Sequence, residues 1–261
     1  MVPKLYFPTI RDLPTRPFQK VLDSLLNVVF PDQCFICALP ISRRQDCGIC
    51  DNCWNKTIAL QIRPPRCSSC GLPFQSFQDD SDHLCGDCIL QMPSFSGARS
   101  FGYYTGELSR LIQEFKFHGR RNLVELFAPL LAGTFVENWA REDFDLIVAV
   151  PLHKKRKRQR GYNQSELLAR SLSSRIAVPY QQELMRIRST LPQVGLTDSR
   201  RQENVRNAFR CHNPGHVSQR RILLIDDVMT TGATVASAAQ ALMNGGALRV
   251  SVLTVARAGK S

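Results

Sequence analysis

The chain of 261 residues contains no run of 18 consecutive apolar residues, the least that crosses a bilayer as a helix, so a transmembrane helix is excluded. Its opening segment, MVPKLYFPTIRDLPTRPFQK, lacks the continuous apolar core of a secretory signal and carries charges and prolines instead. A cytoplasmic location is the resulting expectation. Charged residues are not in excess, at 21% against 43% hydrophobic, which argues against a disordered chain. The length allows one large domain or two smaller ones, each with a core of its own.

Cysteine is almost missing beyond residue 88, where Cys211 stands alone; the other nine of the ten lie between Cys34 and Cys88. In a reducing compartment such a cluster reads as metal binding rather than as disulfides. Four CxxC pairs can be drawn: Cys34–Cys37, Cys50–Cys53, Cys67–Cys70 and Cys85–Cys88. A CxxC pair lets two thiolates of one tight turn reach a single tetrahedral ion. Gly71, Gly86, Pro40 and Pro73 sit where such turns bend or close. One or two structural Zn2+ sites built from these eight cysteines are therefore expected, closed sites that fold the segment rather than catalyse. A redox role is disfavoured, because nothing nearby reads as a βαβ redox fold. Cys47 also forms a CxxC with Cys50, so the second arm has three candidates, and the spacing allows both sequential ribbons and an interleaved cross-brace. His83 is a further possible ligand, though a surface histidine suits its place as well.

Acidic residues are scarce between positions 151 and 210, where 4 face 14 Lys and Arg. The net charge of +12 is thus concentrated in this stretch, since residues 1–150 hold 15 basic and 16 acidic side chains. Aromatic residues are few there as well: Tyr162, Tyr180 and Phe209 make only a weak stacking platform for single-stranded nucleic acid.

The hydrophobic pattern organises the rest. Residues 17–30 place Phe18, Val21, Leu22, Leu25, Leu26 and Val29 at helical spacing, giving an N-terminal helical segment over 1–33. A double zinc-binding region follows over 34–91, and the Pro, Ser and Gly of residues 91–102 read as a boundary before a domain over 92–261. In that domain, helical spacing over 107–117, 123–131 and 163–176 alternates with short apolar runs at 145–150, 221–225 and 248–255. The Ala-rich helix of 233–243 is stopped by Asn244-Gly-Gly246. Strands that alternate with helices predict an α/β fold: a parallel sheet flanked by helices, with its ligand at the carboxyl ends of the strands.

The most informative segment is Ile222-Leu-Leu-Ile-Asp-Asp-Val-Met-Thr-Thr-Gly-Ala-Thr234. An apolar strand leads into Asp226 and Asp227, then into hydroxyl residues and a glycine at a helix start. There, unpaired backbone N–H groups and the positive end of the helix dipole favour an anion. The two carboxylates would repel a phosphate, so they suit sugar hydroxyls or a divalent cation. A ribose carrying a 5-phosphate meets both demands. The second segment, His153-Lys-Lys-Arg-Lys-Arg-Gln-Arg160, leaves the same sheet edge. Its charges would repel one another and stay mobile without a polyanion, either a pyrophosphate or a nucleic-acid backbone. A third cluster, Arg200, Arg201, Asn204 and Arg206, lies between them in sequence.

Ile225-Asp-Asp-Val-Met-Thr-Thr-Gly232 resembles the phosphoribosyl-pyrophosphate (PRPP) signature of type I phosphoribosyltransferases. Together with the four cysteine pairs, Lys116-Phe-His-Gly-Arg120 and Arg160-Gly-Tyr-Asn-Gln-Ser165, the motif order resembles the ComF/GntX family over nearly the whole chain. That family joins an N-terminal zinc-binding part to a phosphoribosyltransferase-type domain and is associated with natural competence and the use of external DNA. The resemblance implies that Asp226 and Asp227 contact the ribose and serve catalysis. Val228, Met229, Thr230, Thr231, Gly232, Ala233 and Thr234 would cradle the 5-phosphate, and Lys155, Arg156, Arg158 and Arg160 would meet the pyrophosphate, with Mg2+ bound alongside. Two classes of function stay open: a pentosyl-transferring glycosyltransferase that uses PRPP, and a non-catalytic PRPP sensor or single-stranded DNA-binding module working with competence machinery proteins. The sequence ends soon after its last strand, so no C-terminal hood for an acceptor is expected, and the acceptor site would come from residues 92–140 or the zinc part.

Overall fold

The computed structural model describes residues 33–41, 47–74, 81–188 and 207–259. The helix expected over 17–30 and the cluster of Arg200, Arg201, Asn204 and Arg206 lie outside the described residues.

Four parallel strands form the central sheet in the order β1-β6-β5-β2: β1 (Gly97–Tyr103), β2 (Leu146–Ala149), β5 (Arg221–Met229) and β6 (Arg249–Arg257). The apolar runs are continuous because both faces of the sheet are covered. Alternate residues serve opposite layers. Leu223, Ile225, Leu253 and Val255 meet Phe115, Phe127, Leu131 and Leu168, from helices α3 (Gly106–Phe117), α4 (Val124–Asn138) and α6 (Gln164–Ile176). Ile222, Leu224, Val250 and Val252 meet Val235, Ala238, Ala239 and Leu242 of α8 (Ala233–Asn244). An antiparallel ribbon, β3 (Leu184–Arg186) with β4 (Phe209–Cys211), packs against α8.

Four features depart from the sequence reading. The strand expected over 221–225 continues to Met229, because its ladder with β6 runs on through Asp226–Thr254 and Met229–Arg257. The acidic pair therefore lies on the strand and not in the turn. The basic run at 154–160, read as a loop, is helix α5 (Lys154–Arg160). His153 Nδ1 accepts from the Lys155 amide at its start, and Gly161 ends it in the left-handed conformation at φ 76°. The helix holds despite its charge because Arg156 and Arg160 turn inward while Lys154, Lys155, Lys157 and Arg158 stay in water. Strand β1 occupies much of the Pro/Ser/Gly stretch, with Ala98 and Phe101 buried. The short strands of the β3–β4 ribbon carry too little periodicity to be read in advance.

The cysteine-rich part covers the sheet edge. Ala98 N–H donates to Ser69 O at 2.7 Å, Ile62 N–H to Phe101 O at 2.8 Å and Tyr103 N–H to Leu60 O at 2.9 Å. An open parallel edge would invite pairing with another chain, and these bonds close it. Gly71 permits the approach: at φ +67° any Cβ would stand 2.4 Å from Ala98 O. Among the described residues, no helix is long and apolar enough to cross a membrane.

Candidate functional site

A cleft of about 1030 Å³ opens over the carboxyl ends of β2 and β5. Its floor is the acidic pair. Asp226 Oδ1 accepts from Ser165 Oγ at 2.7 Å and from the Asp227 amide at 2.9 Å. Asp227 Oδ1 receives Lys116 Nζ at 2.8 Å, from the last turn of α3. Burial, followed by the neighbouring Asp227 charge, pushes the Asp226 carboxyl up to about 7, against the pull of Ser165 and Lys116.

One wall is the turn from β5 into α8. Val228, Met229, Thr230, Gly232 and Thr234 line it. Gly232 stands at φ +84°, where a Cβ would come within 2.8 Å of Met229 Cε. Thr231 Oγ1 accepts from the Ala233 amide at 3.4 Å, which closes the turn. The turn thus delivers the N-terminus of a 12-residue helix, the positive end of its dipole, to the cleft.

The facing wall is cationic. Arg156 and Arg160, one turn apart on α5, line the cleft together with Arg186 of β3. Burial, followed by the nearby Arg156 charge, holds the Arg186 guanidinium down at about 10, against the pull of Asp226. Two half-buried arginines of like charge beside each other describe a site for an anion, whose binding would relieve their repulsion.

The cysteines form two separate tetrads. Cys34, Cys37, Cys50 and Cys53 bring their sulphurs within 4.8 Å of one another, and Cys67, Cys70, Cys85 and Cys88 do the same. The Cys37–Cys50 and Cys70–Cys85 sulphurs stand 3.7 Å apart. That matches the edge of about 3.8 Å of a tetrahedron drawn around a zinc ion with Zn–S bonds of about 2.3 Å. The pairing is therefore sequential and not cross-braced. Cys47 belongs to neither tetrad and directs its sulphur toward Asn122 O at 3.8 Å. His83 is also outside them, stacked on Phe74 with ring centroids 4.1 Å apart.

Comparison with known proteins agrees with both parts. A family model described as a double zinc ribbon domain matches residues 25–89, and one described as a phosphoribosyl transferase domain matches residues 163–261. DNA utilization protein YhgH of Salmonella typhi is 34% identical over 233 residues, which cover 87% of this chain and 97% of that protein. This chain belongs to the ComF/GntX family. Competence protein F of Haemophilus influenzae is 32% identical over 81% of this chain and 91% of its own length. Competence protein ComFC of Bacillus subtilis is 28% identical, with 82% and 86% covered.

On this ComF/GntX chain the structure gathers most of the residues singled out from sequence. Asp226, Asp227, Val228, Met229, Thr230, Gly232, Thr234, Arg156 and Arg160 share the cleft. Lys155 and Arg158 stand on the exposed faces of α5. Sequence reasoning did not assign Lys116, Ser165, Tyr104, Phe117 or Arg186 to the site. Lys116, Phe117 and Ser165 lie in segments read as helices and as family motifs, without a role in the site; Arg186 lies on a three-residue strand with no pattern of its own.

Proposed function

We propose that the cleft binds PRPP, with Mg2+ accompanying the pyrophosphate, and that the protein serves the uptake or use of external DNA. The observation that carries this reading is the opposition of two charge environments across one cleft. The acidic pair of β5 faces the arginines of α5 and β3, and a helix N-terminus closes the end between them. A phosphosugar has this polarity: hydroxyls for Asp226 and Asp227, a 5-phosphate for residues 228–234, and a pyrophosphate for Arg156, Arg160 and Arg186. Mg2+ would supply charge neutralisation on the pyrophosphate oxygens, and carboxylates are its usual protein partners. Arg156, Arg160 and Arg186 would neutralise the remaining charge of a departing pyrophosphate, which is the part of pentosyl transfer this chain's own residues can stabilise. The DNA role rests on the names of the relatives, two competence proteins and a DNA utilization protein.

Isothermal titration with PRPP and Mg2+ tests the site. Replacing Asp226 and Asp227 together by Asn should weaken binding at least about a hundredfold, given two lost charge-assisted hydrogen-bond acceptors. Unchanged affinity would sink the assignment. Binding should also strengthen as pH rises through about 7, where Asp226 becomes the anion that sugar hydroxyls favour.

A second reading, a single-stranded DNA-binding surface, is favoured by the outward face of α5. Lys154, Lys155 and Arg158 are exposed there and do not line the cleft. Changing these three to Gln should weaken single-stranded DNA binding and flatten its salt dependence by up to about two units of slope while PRPP affinity holds. An unaltered slope would move the contact elsewhere.

A further inference from the structure

Half of the large apolar side chains exposed among the described residues lie on one part of the surface, away from the cleft. Leu84, Ile89, Leu90 and Met92 belong to the second cysteine-rich ribbon, and Met243 and Leu248 adjoin it from the sheet domain. Single exposed apolar residues are ordinary, but a patch of them marks a contact. This patch has two shapes. One is a corner. Helix α2 (Gly86–Leu90) is only five residues long and is held by Cys85 and Cys88 of the second tetrad; it exposes Ile89 at 68% and Leu90 at 88%, and Met92 follows at 60%. The other is a groove of about 350 Å³ between residues 93–96 and the last turns of α8, lined by Phe95, Met243, Leu248 and Val250. Its polar rim is satisfied from within: Ser94 Oγ donates to Gln240 Oε1 at 2.7 Å, and Gln240 Nε2 donates to Asn244 Oδ1 at 2.8 Å. Pro93, at the edge of the groove, follows Leu90 so closely in the chain that the corner stands within about 11 Å of the hole.

Charge divides in the same way. The corner carries Asp87, exposed in the first turn of α2. The groove carries Arg249, and no acidic side chain lines it. Arg249 Nη2 donates to Asp143 O at 3.2 Å, but its ion pair with the Asp143 carboxylate is long, at 3.8 Å, and its Nε has no hydrogen-bond partner among the described residues. We propose that a second copy of this chain covers the patch: across a two-fold axis, the Ile89–Leu90 corner of each copy fills the groove of the other and brings Asp87 to Arg249. An isologous contact requires one surface that holds both a protrusion and its hole, with opposite charges beside them, because the axis makes each pairing twice. Ile89, Leu90, Met92, Met243 and Leu248 together expose roughly 300 Å² of apolar side chain on each copy, at about 100 Å² for a fully exposed one. That is the apolar core of a contact to which each partner gives about 800 Å², the polar rim supplying the rest. The groove lies at the amino end of β6 and the cleft at the carboxyl ends of β2 and β5, so pairing leaves both clefts open. Pairing therefore does not depend on what the cleft binds.

Sedimentation velocity of the full zinc-loaded chain reads the pairing. Between about 1 and 100 µM the mass should rise toward twice that of the chain, as expected of a contact of modest size. Leu90→Asp changes a side chain that water already surrounds. It should hold the protein at the mass of one chain at every concentration, with its melting point unchanged. Asp87→Arg and Arg249→Glu should each do the same. An equimolar mixture of these two variants should pair again, because each contact then joins opposite charges. Leu248→Asp, at a side chain 57% exposed, probes the groove if Arg249→Glu lowers the melting point, and it should also abolish pairing. A parent chain that keeps the mass of one copy up to about 100 µM overturns the proposal and assigns the patch to a different protein. A dimer that survives Leu90→Asp or Leu248→Asp overturns it as well, by placing the contact elsewhere. A mixture of folded Asp87→Arg and Arg249→Glu chains that stays unpaired refutes the two-fold match of corner and groove.

Discussion

The second cysteine tetrad and the cleft both bury charge, but they settle it in opposite ways. At the tetrad the charges are of unlike sign. Arg257, 4% exposed, donates from Nη2 to Cys70 Sγ at 3.5 Å, while its Nε and Nη1 have no hydrogen-bond partner among the described residues. A buried guanidinium so poorly satisfied requires an anion nearby. Four thiolates around one Zn2+ carry a net charge of −2, which supplies it. In the cleft, charges of like sign are neighbours: Asp226 beside Asp227, and Arg156 beside Arg186. A structural site balances its charges internally. The cleft balances its own only in part: Lys116 pairs with Asp227, while Asp226 is still raised by burial and by that neighbour.

Arg257 is the residue on which the balance at the second tetrad depends. Arg257→Met keeps the volume and removes the cation, leaving the second tetrad as a buried dianion. A loss of stability of about 3–5 kcal/mol is expected, the usual effect of removing one partner from a buried pair. The zinc should also pass faster to a chelator from this tetrad than from the first, where Cys37 and Cys50 are only half-buried and water screens the charge. Metal release followed with a chromophoric chelator, together with thermal melting, measures both. Equal release from the two tetrads would show that Arg257 does not balance the second.

Asp226→Asn acts in the other direction. The carboxyl is raised from 3.8 to about 7 in the folded state, so the folded chain binds more protons than the unfolded chain between those values. Stability from this group is complete below about 4 and is lost as pH rises to about 7. The amide cannot ionise and still offers Ser165 and the Asp227 N–H an acceptor. The variant should therefore be more stable than the parent at pH 8, by an amount on the order of a few kcal/mol, with the difference vanishing near pH 4. Its PRPP affinity should fall at the same time. Denaturant unfolding across that pH range is the measurement, and a variant less stable at pH 8 would contradict the picture of stored repulsion.

The two sites were not equally legible in the sequence. The tetrads could be read because a metal site repeats its spacing locally: eight ligands lie in four CxxC turns, and only their pairing, and the exclusion of Cys47, needed three dimensions. The β5–α8 turn could be read for the same reason, since strand, acidic pair, hydroxyls and glycine are contiguous. What could not be read was everything that reaches the cleft from afar. Lys116 meets Asp227 across more than a hundred positions, and Arg186 arrives on a strand too short to show a period. The helical state of 154–160 was missed because charge density was weighed without the division into an inward face, Arg156 and Arg160, and an outward one. The covering of β1 by the zinc part was invisible because its bonds join backbones, which carry no residue signature.

The smallest expected effect, on Arg186, tests the comparison most finely. Burial comes first among the causes that lower its guanidinium, Arg156 repels it, and Asp226 alone draws the other way. Arg186→Gln removes the repulsion of Arg156 and the attraction to Asp226 together. These changes oppose each other in stability, so the melting point should move little, by less than about 1 kcal/mol in equivalent terms. Anion binding has no such cancellation. Pyrophosphate affinity should drop about tenfold, and its salt dependence should weaken by roughly one charge, because one of the cleft's cations is gone. A large loss of stability with unchanged pyrophosphate binding would place Arg186 with Arg257, as a cation that serves the fold, and would dissolve the distinction between the two regions.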